Sequence, residues 1–186
     1  MVFDVIFAPT KSFEGVFHDP NINSALIVVL TTGLFLGLAT FFVTASLLPS
    51  VYMFGLNIIQ WLVFAGVIWF FEFIHVRKRK RMTGTSFEQC ACVVGKLWGI
   101  NLIASVLVVL IAFSLNFINS AFLAVLTPFL LIIGMILLVS WIVASFMMLK
   151  VVLGVSGGKL LVNWIIANVL NASLITLFTA IFAVLF

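Results

Sequence analysis

The fold is decided by residues 61–95, which read WLVFAGVIWFFEFIHVRKRKRMTGTSFEQCACVVG. An apolar run ends at His75, five basic residues occupy positions 77–81, and a second apolar run begins near residue 88. Lysine and arginine side chains stay at the membrane surface, whereas about 20 apolar residues in a helix cross the hydrocarbon core. This stretch therefore predicts the end of one membrane-spanning helix, a short basic loop, and the start of the next helix.

The composition extends this prediction to the whole chain of 186 residues, of which 65% are apolar and 8% are charged. Soluble domains carry about 25% charged residues, so a water-soluble fold is excluded. Five stretches are long enough to cross a bilayer. We expect a single membrane domain over residues 1–186, an all-α polytopic bundle of five transmembrane helices. The predicted spans are approximately 20–48, 52–75, 88–115, 122–149 and 158–186.

Capping residues and prolines predict three helix ends in two of these helices, the first and the fourth. Asp19 is a candidate N-cap for a helix with Pro20 in its first position, and Pro49 with Ser50 marks the end of the first span. Thr127 followed by Pro128 predicts the start of the fourth helix, which leaves residues 120–126 as an interfacial approach.

The basic residues predict the orientation of the bundle. With five spans in series, all nine fall on one side of the membrane. The positive-inside rule then puts the N-terminus in the cytoplasm and the C-terminus outside, in a multi-pass protein of the cell (plasma) membrane. The nine are Lys11, Arg77, Lys78, Arg79, Lys80, Arg81, Lys96, Lys150 and Lys159.

Two features are predicted at the cytoplasmic face. Phe13, Val16 and Phe17 repeat at helical spacing within residues 3–18, which predicts a short interfacial amphipathic helix. The run Arg77, Lys78, Arg79, Lys80, Arg81 is a candidate contact for anionic lipid headgroups, at about 1 kcal/mol per residue. The alternative is that this run only fixes topology.

Weak candidates for a metal site lie near the same face. Glu72 and His75 are three residues apart on one helix face, as in the Glu-x-x-His pairs of di-iron bundles, and His18 should lie nearby. The alternative is that Glu72 and His75 reach toward the interface and pair with the basic run. No second Glu-x-x-His pair exists, and we expect no cofactor.

Small and amide residues within the spans predict helix packing. Gly33 and Gly37 form a small-xxx-small contact surface, and Asn168 and Asn171 are expected to hydrogen-bond between helices. The alternative is a polar path along the Asn163, Asn168 and Asn171 face, and further amides come from Asn57, Gln60 and Asn101.

Residues 154–158, Gly-Val-Ser-Gly-Gly, match the nucleophile-elbow pattern of serine hydrolases. That pattern requires a strand–turn–helix context, whereas here it lies in a loop between two spans. The better interpretation is that the glycines allow the backbone to turn in this loop. We expect no enzymatic activity.

The motifs resemble the Ypt-interacting protein (Yip) domain family of five-span membrane proteins, in its short prokaryotic form. Eukaryotic members act in membrane traffic with prenylated Rab-type GTPases through a long N-terminal region that this chain lacks, so the resemblance implies fold and topology. Lys96 stands where the family often has a tyrosine. The resemblance is carried by Ile6-Phe-Ala-Pro9, Phe13-Glu-Gly-Val-Phe17, His75, Lys80, Thr83-Gly84-Thr85-Ser86-Phe87, Val93-Val94-Gly95 and Gly154-Val-Ser156.

Together these patterns predict a non-enzymatic membrane protein of the Yip type that organises membrane or recruits a partner at the cytoplasmic face. The alternative is a small channel or transporter for a cation or small solute. The expected partner is a lipid bilayer with anionic headgroups, with a second copy of the chain or another membrane protein as further options. Nucleic acid is not expected, because the basic run is short and held at the membrane.

Overall fold

The computed structural model describes the backbone of residues 4–79, 85–117 and 120–185, and their side chains except at 76–79, 116–117, 120–124 and 181–185. All regular structure within these ranges is α-helical, which confirms the predicted fold class. Five helices, α3 to α7, are long and apolar enough to cross a membrane, so the chain is a multi-pass membrane protein. The helices are α1 (Asp4–Phe7), α2 (Pro9–His18), α3 (Ile22–Thr44), α4 (Leu47–Arg79), α5 (Phe87–Phe117), α6 (Ser120–Leu153) and α7 (Gly158–Leu185).

Helix α5 is the centre of the bundle. It packs against α3, α4 and α6, while α7 packs against α4 and α6. In the most apolar part of α5, 39% of residues are buried, against 17% in α6 and in α7. Helices α6 and α7 therefore turn most of their surface toward lipid.

Glycines allow the closest approaches between helices, because van der Waals packing drives helix association in lipid. A Cβ atom on Gly33 would lie 2.9 Å from the Phe54 ring, and one on Gly37 would lie 3.0 Å from the Ser50 carbonyl oxygen. Gly33 and Gly37 thus form a packing surface for α4. A Cβ on Gly95 would overlap the Ala25 side chain, which makes the contact between α3 and α5 the tightest of the three.

The start of α3 differs from the prediction. Asp19 is the C-cap of α2, and its N–H donates to the Gly15 carbonyl at 3.0 Å. The N-cap of α3 is Asn21, whose side chain accepts a hydrogen bond of 3.0 Å from the Ser24 N–H. The prediction was wrong because the sequence offers two capping residues around Pro20, and the end of α2 takes the first of them.

The turn between α3 and α4 also differs from the prediction. Helix α3 ends at Thr44, Ala45 adopts a left-handed conformation with φ of 50°, and α4 begins at Leu47. Pro49 therefore lies in the first turn of α4 instead of ending a helix. Proline is tolerated there because the first four N–H groups of a helix have no partner within it.

Helix α6 runs without interruption through Thr127 and Pro128, from Ser120 to Leu153. The predicted helix start at Thr127 is therefore wrong, since Thr127 and Pro128 lie within a continuous helix. A proline within a membrane helix removes one backbone hydrogen bond, and neighbouring groups in lipid compensate for this loss.

The N-terminal segment forms the predicted short helix as two pieces, α1 and α2, and both pack onto the bundle. Helix α2 contacts α5 and α6, and Val5 and Phe13 are fully buried. Gln89 fixes this arrangement, because its amide donates to the Phe17 carbonyl at 3.1 Å. Gln89 also forms a capping box with Ser86 at the start of α5.

Candidate functional site

The lysines that the structure describes lie at one end of the bundle, which we name the basic end. Here α4 and α6 end, α5 and α7 begin, and α2 packs across α5 and α6. His75 near the end of α4 contacts Asn163 in the first turns of α7, which joins the two sides of this end. The lysines described are Lys11, Lys96, Lys150 and Lys159.

A cavity of about 430 Å³ opens at the basic end between the N-terminal helices, the start of α3 and α5. We name it the interface pocket, because it lies at the level where α3 enters its membrane-spanning segment. Its polar lining comes from α1, α2, the turn before α3, the first turn of α3, and α5. These residues include Asp4, Lys11, Ser12, Asp19, Asn21, Ser24 and Lys96.

The interface pocket presents charges of both signs. Lys11 and Lys96 supply cationic groups, and the capped N-terminus of α3 at Asn21 adds the positive end of a helix dipole. Asp4 and Asp19 supply carboxylates. The Ser12 hydroxyl oxygen is buried without a hydrogen-bond partner among the residues described. Such a pocket can bind a phosphate group through its lysines and an amine through its carboxylates.

The weak metal-site candidates do not converge in the described part of the chain. His75 Nδ1 lies 2.8 Å from the Phe71 carbonyl and its Nε2 lies 3.2 Å from Asn163 Nδ2, so both ring nitrogens have partners. Glu72 is buried in α4, whereas His18 is exposed on α2. Among the described residues, no three His, Cys, Asp or Glu side chains form a group that could hold a metal.

The candidate headgroup contacts Arg77, Lys78, Arg79, Lys80 and Arg81 lie outside the described side chains. The backbone of α4 extends to Arg79, so the first three of them continue the helix beyond His75. This extension starts at the basic end, where α4 meets the first turns of α7.

The amides within the spans divide into two groups. Asn57 links three helices, since its Nδ2 donates to the Val29 carbonyl at 2.8 Å and its Oδ1 accepts from Trp98 Nε1 at 3.1 Å. In the sequence, Asn57 is one of several amides within the spans. No sequence pattern indicates that Trp98 is its partner. Asn168, predicted to bond between helices, instead donates to the Trp164 carbonyl of its own helix at 2.8 Å.

The second group of amides lines a cavity of about 500 Å³ between α4, α5, α6 and α7, which we name the core cavity. Gln60, Asn101 and Asn171 contribute its amides, and Trp98 and Trp141 contribute aromatic surface. Asn171 therefore lines a cavity. Its Oδ1 makes no hydrogen bond to another helix among the residues described. The predicted polar face of α7 is divided, because Asn163 and Asn168 have other partners.

The loop of residues 154–157 forms the turn between α6 and α7. Gly154 and Gly157 adopt φ angles of 58° and 64°, which glycine adopts without steric cost. The Gly154 N–H donates to the Lys150 carbonyl at the end of α6, and the Gly157 carbonyl accepts from Leu160. These contacts end α6 and begin α7, and Ser156 between them is exposed.

No protein-family model matches the chain, and no curated protein or solved structure matches it either. The resemblance to the Yip family therefore stays a prediction from the residues quoted above.

Proposed function

We propose that the chain is a non-enzymatic membrane protein of the Yip type that organises lipid at the cytoplasmic face by holding a phospholipid headgroup in the interface pocket. The observation that carries this proposal is the mixed-charge lining of the pocket at the membrane boundary. The headgroup phosphate would lie toward Lys11, Lys96 and the N-terminus of α3. An amine on the same headgroup would lie toward Asp4 and Asp19.

The position of the pocket supports a lipid over a soluble ligand. Ala25 and Val28 in the first two turns of α3 form part of the wall, so the pocket extends below the polar boundary into the membrane-spanning region. A headgroup bound there keeps its acyl chains in the bilayer, whereas a soluble phosphate has no apolar part to contact Ala25 and Val28. The basic run at 77–81 would add long-range attraction for anionic lipids at the same end.

The cytoplasmic location of the basic end is part of this proposal, and a reporter experiment tests it. A fluorescent protein fused after Phe186 should fail to fluoresce when it is exported, whereas alkaline phosphatase at the same place should be active. The physical reason is the positive-inside rule, since the C-terminus of a five-span chain lies opposite the basic residues. A fluorescent C-terminal fusion would contradict the orientation.

Neutralising the lysines of the pocket should weaken headgroup binding. Each of Lys11→Gln and Lys96→Gln should lower the affinity of the purified protein for short-chain phosphatidylglycerol about fivefold, since one basic residue contributes about 1 kcal/mol. Native mass spectrometry over a lipid titration measures the bound fraction. Asp19→Asn should weaken only the binding of phosphatidylethanolamine, the amine-bearing lipid.

The matched controls are Lys150→Gln and Lys159→Gln, which remove the same charge at the same end but outside the interface pocket. Their affinities should stay close to that of the unmodified chain. Equal losses in all four lysine variants would indicate general attraction to the basic end, and the pocket would then have no specific role.

A cation channel or transporter has less support. Glu72 and His75 lie toward the basic end and do not line the core cavity, and Asn163 is paired with His75. The described lining of the core cavity contains no charged side chain. A path for a cation through low-dielectric hydrocarbon would need compensating charge or a continuous row of carbonyls.

A further inference from the structure

The core cavity lies in the hydrophobic middle of the membrane. Gln60, Asn101 and Asn171 are each within two residues of the middle of their candidate membrane spans. The cavity of about 500 Å³ between four helices therefore lies at the depth of the hydrocarbon core. Its occupant must be a molecule that can reside at that depth.

The amides of the core cavity have no hydrogen-bond partner in the part of the chain that the structure describes. The structure gives Gln60, Asn101 and Asn171 no side-chain hydrogen bond to any residue that it describes, and the Asn171 Oδ1 is buried with none. Asn171 is only 8% exposed, so water at the protein surface does not satisfy it. An amide buried in a membrane without a partner is costly, and a ligand that supplies a hydrogen bond to the side chain recovers part of that cost.

Access to the core cavity is from the side. Val108 and Leu138 belong to its wall and are also among the exposed apolar residues of the bundle surface. A molecule dissolved in the bilayer can thus enter between α5 and α6. The absence of charge among the described lining residues selects an uncharged ligand.

We propose that the core cavity binds an uncharged lipid that carries a free hydroxyl group, of the diacylglycerol class. The hydroxyl oxygen accepts a hydrogen bond from the Asn171 side-chain amide, and the hydroxyl donates to the amide oxygen of Gln60 or Asn101. The acyl chain lies along the apolar wall formed by Leu107 and Leu137. This site is separate from the interface pocket and does not depend on the function proposed for it.

Photolabelling tests the proposal. The protein is reconstituted in phosphatidylcholine nanodiscs with a diacylglycerol that carries a diazirine on one acyl chain, irradiated, and mapped by mass spectrometry. Label is expected on the cavity wall of α5 and α6, at positions such as Leu107 and Leu137. Gly134 lines the cavity and a Cβ there meets nothing within 4 Å, so Gly134→Leu should fill the space and abolish this label.

Asn171→Leu should reduce the same label about fivefold, the effect of one lost hydrogen bond. Gly55→Leu is the matched control, because a Cβ on Gly55 also meets nothing within 4 Å and Gly55 lies outside the core cavity. It should label like the unmodified chain. The melting temperature of Gly134→Leu should be unchanged or higher, because leucine favours a helix more than glycine does.

A competition experiment isolates the hydroxyl group. Unlabelled diacylglycerol should compete with the probe, and the same lipid with its hydroxyl acetylated should compete about fivefold more weakly. Equal competition by both lipids, or equal labelling of Gly134→Leu and Gly55→Leu, would overturn the proposal. Glycerol flux through proteoliposomes that Gly134→Leu abolishes would also overturn it, in favour of a polar path.

Discussion

Replacing Gly95 by leucine is expected to lower the free energy of unfolding by about 3 kcal/mol, the upper range for overpacking a core. The added Cβ would overlap the Ala25 side chain and lie 3.0 Å from the Ala25 Cα. The second neighbour is backbone, so α3 would have to move as a unit. Unfolding in mixed micelles titrated with dodecyl sulfate measures the loss.

Gly66→Leu is the control for this experiment, because a Cβ on Gly66 meets nothing within 4 Å. Both exchanges add the same side chain to the interior of a membrane helix, so the difference between them reports the contact with Ala25. Similar unfolding curves for the two variants would contradict the close approach of α3 and α5.

Replacing Asn57 by leucine is expected to cost about 2 kcal/mol, because the change leaves the buried Trp98 Nε1 without an acceptor and removes the donor to Val29. Asn57 is 5% exposed, so water does not replace the lost partners. A double-mutant cycle with Trp98→Phe, measured by the same titration, should give a coupling energy of about 1 kcal/mol.

Asn168→Leu is the matched exchange for Asn57→Leu. Asn168 also lies within a span, but its one hydrogen bond to the residues described goes to the preceding turn of its own helix. Its replacement should change stability by less than about 0.5 kcal/mol, since the backbone carbonyl keeps its helical partner. If both asparagine variants lost the same stability, the hydrogen bonds from Asn57 to α3 and α5 would contribute no more than a bond within one helix.

The number of membrane helices could be predicted from the sequence, because a length of about 20 apolar residues is a strong physical requirement. The helix ends could not. Asp19 and Asn21 are both good N-caps, and only the end of α2 decides between them. Pro49 predicts the end of one helix and Pro128 the start of another, but proline is also tolerated in a first turn and within membrane helices.

The candidate sites were less predictable than the fold. The spacing of Phe13 and Phe17 predicted a one-sided helix, but a period of 3.6 does not indicate whether lipid or protein covers the apolar side. Phe13 is in fact fully buried on the bundle. Asn163, Asn168 and Asn171 looked equivalent in the sequence, and only the contacts between helices separate the paired amides from the one that lines the core cavity.

The docking of α1 and α2 onto α5 and α6 has a consequence for biosynthesis. The N-terminal helices leave the ribosome first, but their binding surface is complete only when Leu153 has been made. At 5–20 residues per second, the delay is on the order of ten seconds. During that time Val5 and Phe13 lack their final partners, and an amphipathic helix can wait on the membrane surface. The N-terminal segment would thus dock only after α3 to α6 have been made, although it is synthesised before them.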